Sequence, residues 1–300
     1  MTRPDWIAVD WGTTNARAWA MAGAEVLDTA PGGPGMGGLA SDGFEPALLR
    51  MIDGWDIAPR TPVIACGMAG AAQGWRDAGY RKVPATPLSD TLVPVPTNDA
   101  RLAVHIVPGL KQTNPADVMR GEETQIAGFL ALNPDFDGAI CLPGSHSKWV
   151  QISAGEVVSF RTMMTGELFA ALAHHSVLRH SVAPEGWDDD AFADALSQSL
   201  SRPEQLAARL FSIRAEALLN NRGTAESTAA LSGLLIGAEL AAAKPYWLGL
   251  PVALIGAAGL TQHYATALAM QGVQVIRTRG DTLTLQGLTA AWRGLSKEPS

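Results

Sequence analysis

The chain has 300 residues, of which 47% are hydrophobic and 17% charged, a balance that supports an ordered globular protein of two domains and excludes a disordered one. Its formal net charge of −7 argues against nucleic acid and anionic membrane as partners, because phosphate backbones are bound through clustered Lys and Arg. Cys66 and Cys141 each end an apolar run and lie far apart in sequence, so they read as buried free thiols in a reducing, cytoplasmic compartment.

No charged-then-apolar leader opens the chain. The longest apolar helical stretch, over residues 231–243, is interrupted by Glu239 and is too short to span a bilayer, so a soluble protein is expected.

The first half opens with Ile7-Ala8-Val9 running into Asp10-Trp11-Gly12-Thr13-Thr14-Asn15, after which alternation resumes through Arg17, Ala18 and Trp19. This reads as strand, tight turn, strand. The glycine lets backbone N–H groups approach phosphate oxygens, Thr13, Thr14 and Asn15 add side-chain donors, and Asp10 can hold a magnesium ion through water. Neither G-x-x-x-x-G-K-[ST] nor G-x-G-x-x-G entering a helix is present, which removes the main support for the common P-loop and dinucleotide folds. Strands are predicted over 5–10, 15–21, 24–28, 61–66 and 102–107, and a helix over 44–55. The segment 31–38 holds five glycines and two prolines and reads as a turn, a mobile flap or a plain solvent loop. A helix is predicted over 117–132, starting after Pro115 with acids in its early turns. The first domain is expected over residues 1–125 and the second over 126–300.

The second half begins with an apolar run at 139–142, then Pro143-Gly144-Ser145-His146-Ser147-Lys148, then further strands at 149–152 and 155–158. Sliding the chain by 132 positions lays Gly12 on Gly144, Thr13 on Ser145 and Gly23 on Gly155. Both halves thus start with a strand, a glycine-plus-hydroxyl loop and a β-meander, as a duplicated α/β domain would. The copies differ at Leu142, which stands where the first has Asp10. Helices are predicted over 164–180, 187–201, 203–221 and 225–243, with Asp188, Asp189 and Asp190 at a helix start. A strand at 252–255 meets Gly256-Ala257-Ala258-Gly259-Leu260, where small residues suit either close helix–sheet packing or a flat ring lying on backbone. A helix over 261–271, a strand over 273–276, a turn at Gly280-Asp281 and a last helix follow.

With these loops in this order the chain resembles the sugar kinase, heat-shock 70 and actin superfamily, and more narrowly the 2-dehydro-3-deoxygalactonokinase family. Five segments carry the resemblance: Asp10-Trp11-Gly12-Thr13-Thr14-Asn15 with Arg17, Ala18 and Trp19; Val118-Met119-Arg120-Gly121-Glu122-Glu123-Thr124-Gln125; Pro143-Gly144-Ser145-His146 with Lys148-Trp149-Val150; Phe160-Arg161-Thr162 with Met164-Thr165-Gly166-Glu167; and Leu231 to Glu239. It implies an α/β protein of two ribonuclease-H-like, actin-like ATPase lobes with ATP bound in the cleft between them. It also implies transfer of phosphate from ATP to the 6-hydroxyl of 2-keto-3-deoxy-D-galactonate, with lobe closure to exclude water. Alternatives are another sugar or sugar-acid kinase with the same ATP clamp, and a nucleotide-switched binding protein.

Position by position, the resemblance puts Gly12, Thr13, Thr14 and Asn15 on the β- and γ-phosphates, and Gly144, Ser145 and His146 on them from the other lobe. Lys148 either reaches a phosphate or the sugar acid, or points into solvent. Gly256, Ala257 and Gly259 would lie under the adenosine, with Asp281 near the same pocket. Mg²⁺ would sit near Asp10. The acceptor hydroxyl needs a carboxylate to take its proton, and Glu122 or Glu123 fits, Glu122 being favoured. Arg17, Arg120 and Arg161 are candidates for the substrate carboxylate, Arg161 first, with Thr165 and Glu167 beside the sugar acid; an ion pair of Arg161 with Glu167 or Glu123 is the competing reading. A homodimer is compatible with the sequence.

Overall fold

The computed structural model describes residues 2–183 and 185–295. In chain order the first elements are β1 (Trp6–Trp11), β2 (Asn15–Ala22), β3 (Glu25–Thr29), β4 (Gly33–Pro34), α1 (Phe44–Met51), β5 (Thr61–Gly67), β6 (Tyr80–Lys82), β7 (Val93–Val95), β8 (Leu102–Ile106), β9 (Gly109–Thr113), β10 (Ala116–Met119) and α2 (Glu122–Leu132). There follow β11 (Gly138–Leu142), β12 (Ser147–Ser153), β13 (Glu156–Met163), α3 (Thr165–His175), α4 (Asp189–Ser201), α5 (Leu206–Leu219), α6 (Thr224–Ala242), α7 (Lys244–Trp247), β14 (Val252–Gly256), α8 (Ala258–Ala269), β15 (Val275–Arg279) and α9 (Gly280–Leu295).

The chain forms two compact units. The first holds the residues up to Asp137, Ile152–Ser159 and the chain from Arg279 on; the second holds Gly138–Gln151 and Phe160–Thr278. These boundaries differ from a cut at 125/126, because α2 and α9 pack on each other within the first unit. Two glycines permit it: a Cβ on Gly128 would stand 2.0 Å from the Leu283 carbonyl oxygen, and one on Gly287 would stand 1.9 Å from that of Thr124.

In the first unit the main sheet has the order β3-β2-β1-β5-β8-β7, with β4 on β2. β1 pairs antiparallel with β2 and parallel with β5, and β5 parallel with β8. Strand alternation sends Ile7, Val9 and Trp11 to one face, onto Phe44, Ala47 and Leu48 of α1, and Trp6 and Ala8 to the other, onto Leu288 and Ala291 of α9. Trp6 stacks on Trp292 with ring centroids 5.2 Å apart.

The second sheet has the order β13-β12-β11-β14-β15, and β11 runs parallel to β14. Strand for strand this repeats β3-β2-β1-β5-β8, so the duplication suggested by the two glycine loops is present in the topology. Its core joins Cys141, Trp149 and Leu254 of the sheet to Phe192, Leu196, Ile236 and Leu240 of α4 and α6.

Several boundaries depart from expectation, among them α1, which ends at Met51, and α3, which ends at His175. The predicted helix over 117–132 starts only at Glu122, because residues 116–119 form β10, the edge of a small sheet β10-β9-β6. The predicted turn at Gly280-Asp281 is the first turn of α9, and the helix predicted from 261 starts at Ala258. Asp188 caps α4 as expected, its Oδ1 accepting the Ala191 N–H at 2.7 Å.

Candidate active site

The turn after β1 is fixed by the glycine-rich segment that follows β3. Gly35 N–H donates to the Thr14 carbonyl at 3.0 Å, Met36 N–H to that of Gly12 at 3.0 Å, and Gly37 N–H to that of Thr13 at 2.9 Å. A Cβ on Gly35 would fall 2.3 Å from the Thr14 carbonyl carbon and 2.4 Å from the Thr13 oxygen, so only glycine allows this approach. The segment is therefore a splint under the turn, rather than a flap or a solvent loop. It is anchored in turn by fully buried Trp11, whose Nε1–H donates to the Pro34 carbonyl at 3.1 Å.

With their carbonyls held, Thr13 and Thr14 keep N–H groups that donate to no backbone carbonyl among the described residues, and both residues are exposed beside Asn15. Such a row of fixed, open amides is a nest for an anion.

Asp10, the penultimate residue of β1, lies beside this turn. Its Oδ2 accepts from Arg17 Nη2 at 2.6 Å across the β1–β2 ladder, and its Oδ1 accepts from the Cys66 thiol at 3.8 Å. Burial, then the charges of Asp10 and Glu123, push the Cys66 thiol well above its usual range, so it stays an S–H donor. A single carboxylate next to hydroxyls and open amides suits a magnesium ion that arrives with phosphates and keeps most of its waters.

The first turn of α2 reaches the same neighbourhood, for a Cβ on Gly121 would lie 3.3 Å from Gly67 Cα at the end of β5. Glu122 Oε2 accepts the Arg120 N–H at 3.0 Å and Glu123 Oε2 that of Gly121 at 2.7 Å, so both carboxylates cover the open amides of a helix start. Their surroundings differ. Glu123 is fully buried, and burial first, with the Glu122 charge second, raises its carboxyl to about 8. Glu122 is half-buried.

Arg120 lies with its guanidinium 4.2 Å over the Tyr80 ring and donates from Nη2 to the Gly79 carbonyl at 3.0 Å. Its Nε and Nη1 are buried with no acceptor. Asp281, at the start of α9, is paired with Arg279 at 2.8 Å; that pairing lowers its carboxyl, and Arg17 contributes a smaller lowering. The structure thus gathers Asp10, Arg17, Cys66 and Glu123, and Asp281 belongs to the same compact unit.

In the second unit the loop after β11 is clipped to α3. Glu167 N–H donates to the Ser145 carbonyl at 2.9 Å, and the Glu167 carboxylate meets His146 Nε2 at 2.5 Å. Beside the loop is an apolar cavity of about 390 Å³, lined among others by Gly144, Thr165, Trp187, Gly259, Leu260 and His263. Gly256 abuts the loop as well, for a Cβ there would stand 3.3 Å from the Pro143 carbonyl oxygen, while Ala257 is exposed at the start of α8. Trp187 stacks on His263 with ring centroids 3.9 Å apart, an aromatic wall of the cavity that local sequence pattern does not reveal, since the two residues are distant in the chain.

Lys148 is 5% exposed, so the solvent-facing alternative falls. Arg161 is exposed on β13 and forms no ion pair among the described residues, which removes its pairing with Glu167 or Glu123. Another residue without an expected role, Glu239, accepts hydrogen bonds from Trp149, Thr165 and Tyr264.

Residues 10–291 match the model of the 2-keto-3-deoxy-galactonokinase family. The chain is 39% identical over 297 residues to a probable 2-dehydro-3-deoxygalactonokinase of Rhizobium meliloti, covering 96% of each chain. It is 35% identical over 288 residues to the 2-dehydro-3-deoxygalactonokinase of Escherichia coli, covering 94% of this chain and 96% of that one. A crystal structure from Sinorhizobium meliloti, assigned as a 2-dehydro-3-deoxygalactonokinase, superposes with a TM-score of 0.90 at 38% identity over 98% of this chain and all of that one. The activator of 2-hydroxyisocaproyl-CoA dehydratase from Clostridium difficile matches with a TM-score of 0.51 at 10% identity over 98% of each chain, a likeness of fold alone. The architecture is thus that of the actin-like ATPases, two ribonuclease-H-like lobes, and by sequence the chain belongs to the 2-keto-3-deoxy-galactonokinase family.

Proposed function

We propose that this protein uses ATP to phosphorylate 2-dehydro-3-deoxy-D-galactonate at its 6-hydroxyl, giving 2-dehydro-3-deoxy-6-phosphogalactonate and ADP in the cytoplasmic breakdown of galactonate. One observation carries the reading: open amides of Thr13 and Thr14, splinted from below, stand beside Asp10 and the acidic first turn of α2. Phosphoryl transfer needs charge neutralisation and alignment more than covalent chemistry, and this arrangement offers both.

Thr13, Thr14 and Asn15 receive the terminal phosphates, and the loop at Gly144, Ser145 and His146 receives phosphate oxygens in the second unit, with Lys148 beneath it. Asp10 would hold Mg²⁺, which when bound would neutralise phosphate charge. The Asp10–Arg17 pair must open for this, at little cost, since an ion pair with Arg17 45% exposed is worth roughly 0–1 kcal/mol. Arg17 is then released toward the anionic ligands. Glu122 takes the proton from the acceptor hydroxyl; Glu123, held protonated at neutral pH by its burial, supports the turn instead. Arg120, with two unmet donors in the unit that carries Glu122, binds the substrate carboxylate. The apolar cavity bounded by Trp187, Gly259 and His263 takes the adenosine.

The test is ADP release from Mg-ATP with 2-keto-3-deoxy-D-galactonate, its gluconate epimer and neutral hexoses in parallel. Preference for the galactonate derivative is expected. Turnover of a neutral hexose alone overturns the substrate, and release with none of them overturns the kinase reading.

A further inference from the structure

Beneath the cavity of the second unit lies a buried carboxylate that the mechanism above does not use. Glu239 of α6 is 4% exposed. Its Oε1 accepts from Trp149 Nε1 of β12 at 2.8 Å. Its Oε2 accepts from the Tyr264 hydroxyl of α8 at 2.8 Å and from the Thr165 hydroxyl at the start of α3. Tyr264 has given its only hydroxyl proton to Glu239, so at 3.0 Å it accepts from Ser147, the last residue of the glycine loop. One carboxylate on α6 therefore ties together β12, α3 and α8, and through Tyr264 the end of the glycine loop. The loop with Gly144, α3 with Thr165 and Gly166, α6 with Ser232, Leu235 and Ile236, and α8 with Gly259, Leu260 and His263 also line the cavity.

The coupling to the loop is steric as well as polar. A Cβ on Gly166, one residue after Thr165, would fall 2.3 Å from the Gly144 carbonyl oxygen, so any shift of the α3 start moves the loop. A buried acid also costs free energy unless its partners compensate, and burial does push the Glu239 carboxyl up while hydrogen bonds with Thr165, Trp149, Tyr264 and Ser147 hold it down. Apolar residues would fill the same volume at less cost, so a carboxylate here points to a positional role.

We infer that Glu239 is the positioning residue of the nucleotide site, setting the loop at Gly144–Ser147, the start of α3 and the start of α8 at the spacing that the phosphates and nucleoside of ATP require. This rests on the kinase reading. Glu239 touches no ligand itself and acts through Thr165, Tyr264 and Ser147.

Binding of ADP to the full-length protein, followed by calorimetry, tests it alongside steady-state kinetics. Glu239→Gln keeps the volume and one acceptor oxygen but puts an NH₂ group against donors. ADP affinity is expected to fall about 10-fold or more, with KM for ATP rising in parallel, while KM for the sugar acid and the thermal midpoint stay close to the parent's. Tyr264→Phe removes a single hydroxyl and keeps the ring, so it serves where the first variant folds poorly, with about a 3- to 10-fold loss of ADP affinity expected. Unchanged ADP affinity in a folded Tyr264→Phe or Glu239→Gln variant overturns the inference. So does an equal rise in both KM values with a falling midpoint, which marks a merely structural acid. Failure of the parent protein to bind ADP at all overturns the kinase reading instead.

Discussion

Glu122 and Glu123 are neighbours in sequence with the same chemistry, and only the structure separates them. Strand-like or helical pattern alone leaves either as the base; burial favours Glu122, because Glu123 is fully buried and hydrogen-bonded to Thr124 while Glu122 keeps access to solvent. Glu122→Gln should therefore lower kcat by about 10²- to 10⁴-fold with little change in KM for ATP, the usual worth of a general base. Glu123→Gln should cost far less turnover, since the residue it replaces already carries a proton at neutral pH; equal losses in the two variants would reverse the assignment. The arginines divide in the same way. Arg120→Lys keeps the charge but loses the planar fork, so KM for the sugar acid should rise about 10-fold or more, and Arg161→Lys, on an exposed strand position, should leave it unchanged. Titration of KM for substrate in both variants decides between them.

At the level of elements, the candidate site residues are placed by contacts of backbone on backbone that local pattern does not reveal. The glycines at 12 and 144 announce their turns because the signal is local: a strand, a glycine, hydroxyls. Gly35 looks like one glycine among five until it is seen against Thr13 and Thr14. Gly35→Ala must push the splint away from the turn, and with it the Thr13 and Thr14 amides. Turnover should drop at least about 100-fold while the protein stays folded, a result that circular dichroism and ADP release together would establish, because overpacking at one loop costs roughly 1–3 kcal/mol. Gly287→Ala strikes α2 from behind through the Thr124 carbonyl, so it should lower the thermal midpoint by roughly 3–10 °C and kcat along with it, since Glu122 rides on the same helix. A lowered midpoint with kcat intact would show that α2 tolerates the displacement. The start of α2 was misread for a related reason: β10 is four residues long and sits in a sheet whose partners, β6 and β9, are themselves short, so no periodicity marks it.

For the molecule as a whole, the duplicated strand order was legible from two loops and two meanders, and the buried acids were not, because a glutamate in an apolar helix reads as an interruption until its partners are known. Glu123 and Glu239 nonetheless give the whole protein a pH dependence. Both carboxyls are raised by burial, so the folded chain binds more protons than the unfolded one wherever the free acids are ionised. The stabilisation this gives is full below about 4.5 and is lost as pH rises through about 8 for Glu123. His105 and His263 act oppositely: burial lowers both, so their contribution is present above the unfolded value of 6.5 and falls away in acid. The two effects oppose each other below pH 6.5; above it the histidines are neutral in both states and the acids act alone. Between pH 6.5 and 8 the protein should therefore lose about 1.5 kcal/mol through Glu123, roughly 3–6 °C in thermal midpoint. Glu123→Gln cannot ionise, so its midpoint should decline less steeply over the same interval. Parallel slopes for parent and variant would mean that Glu123 is ionised in the folded protein, and the division of labour between the two glutamates would fall with it.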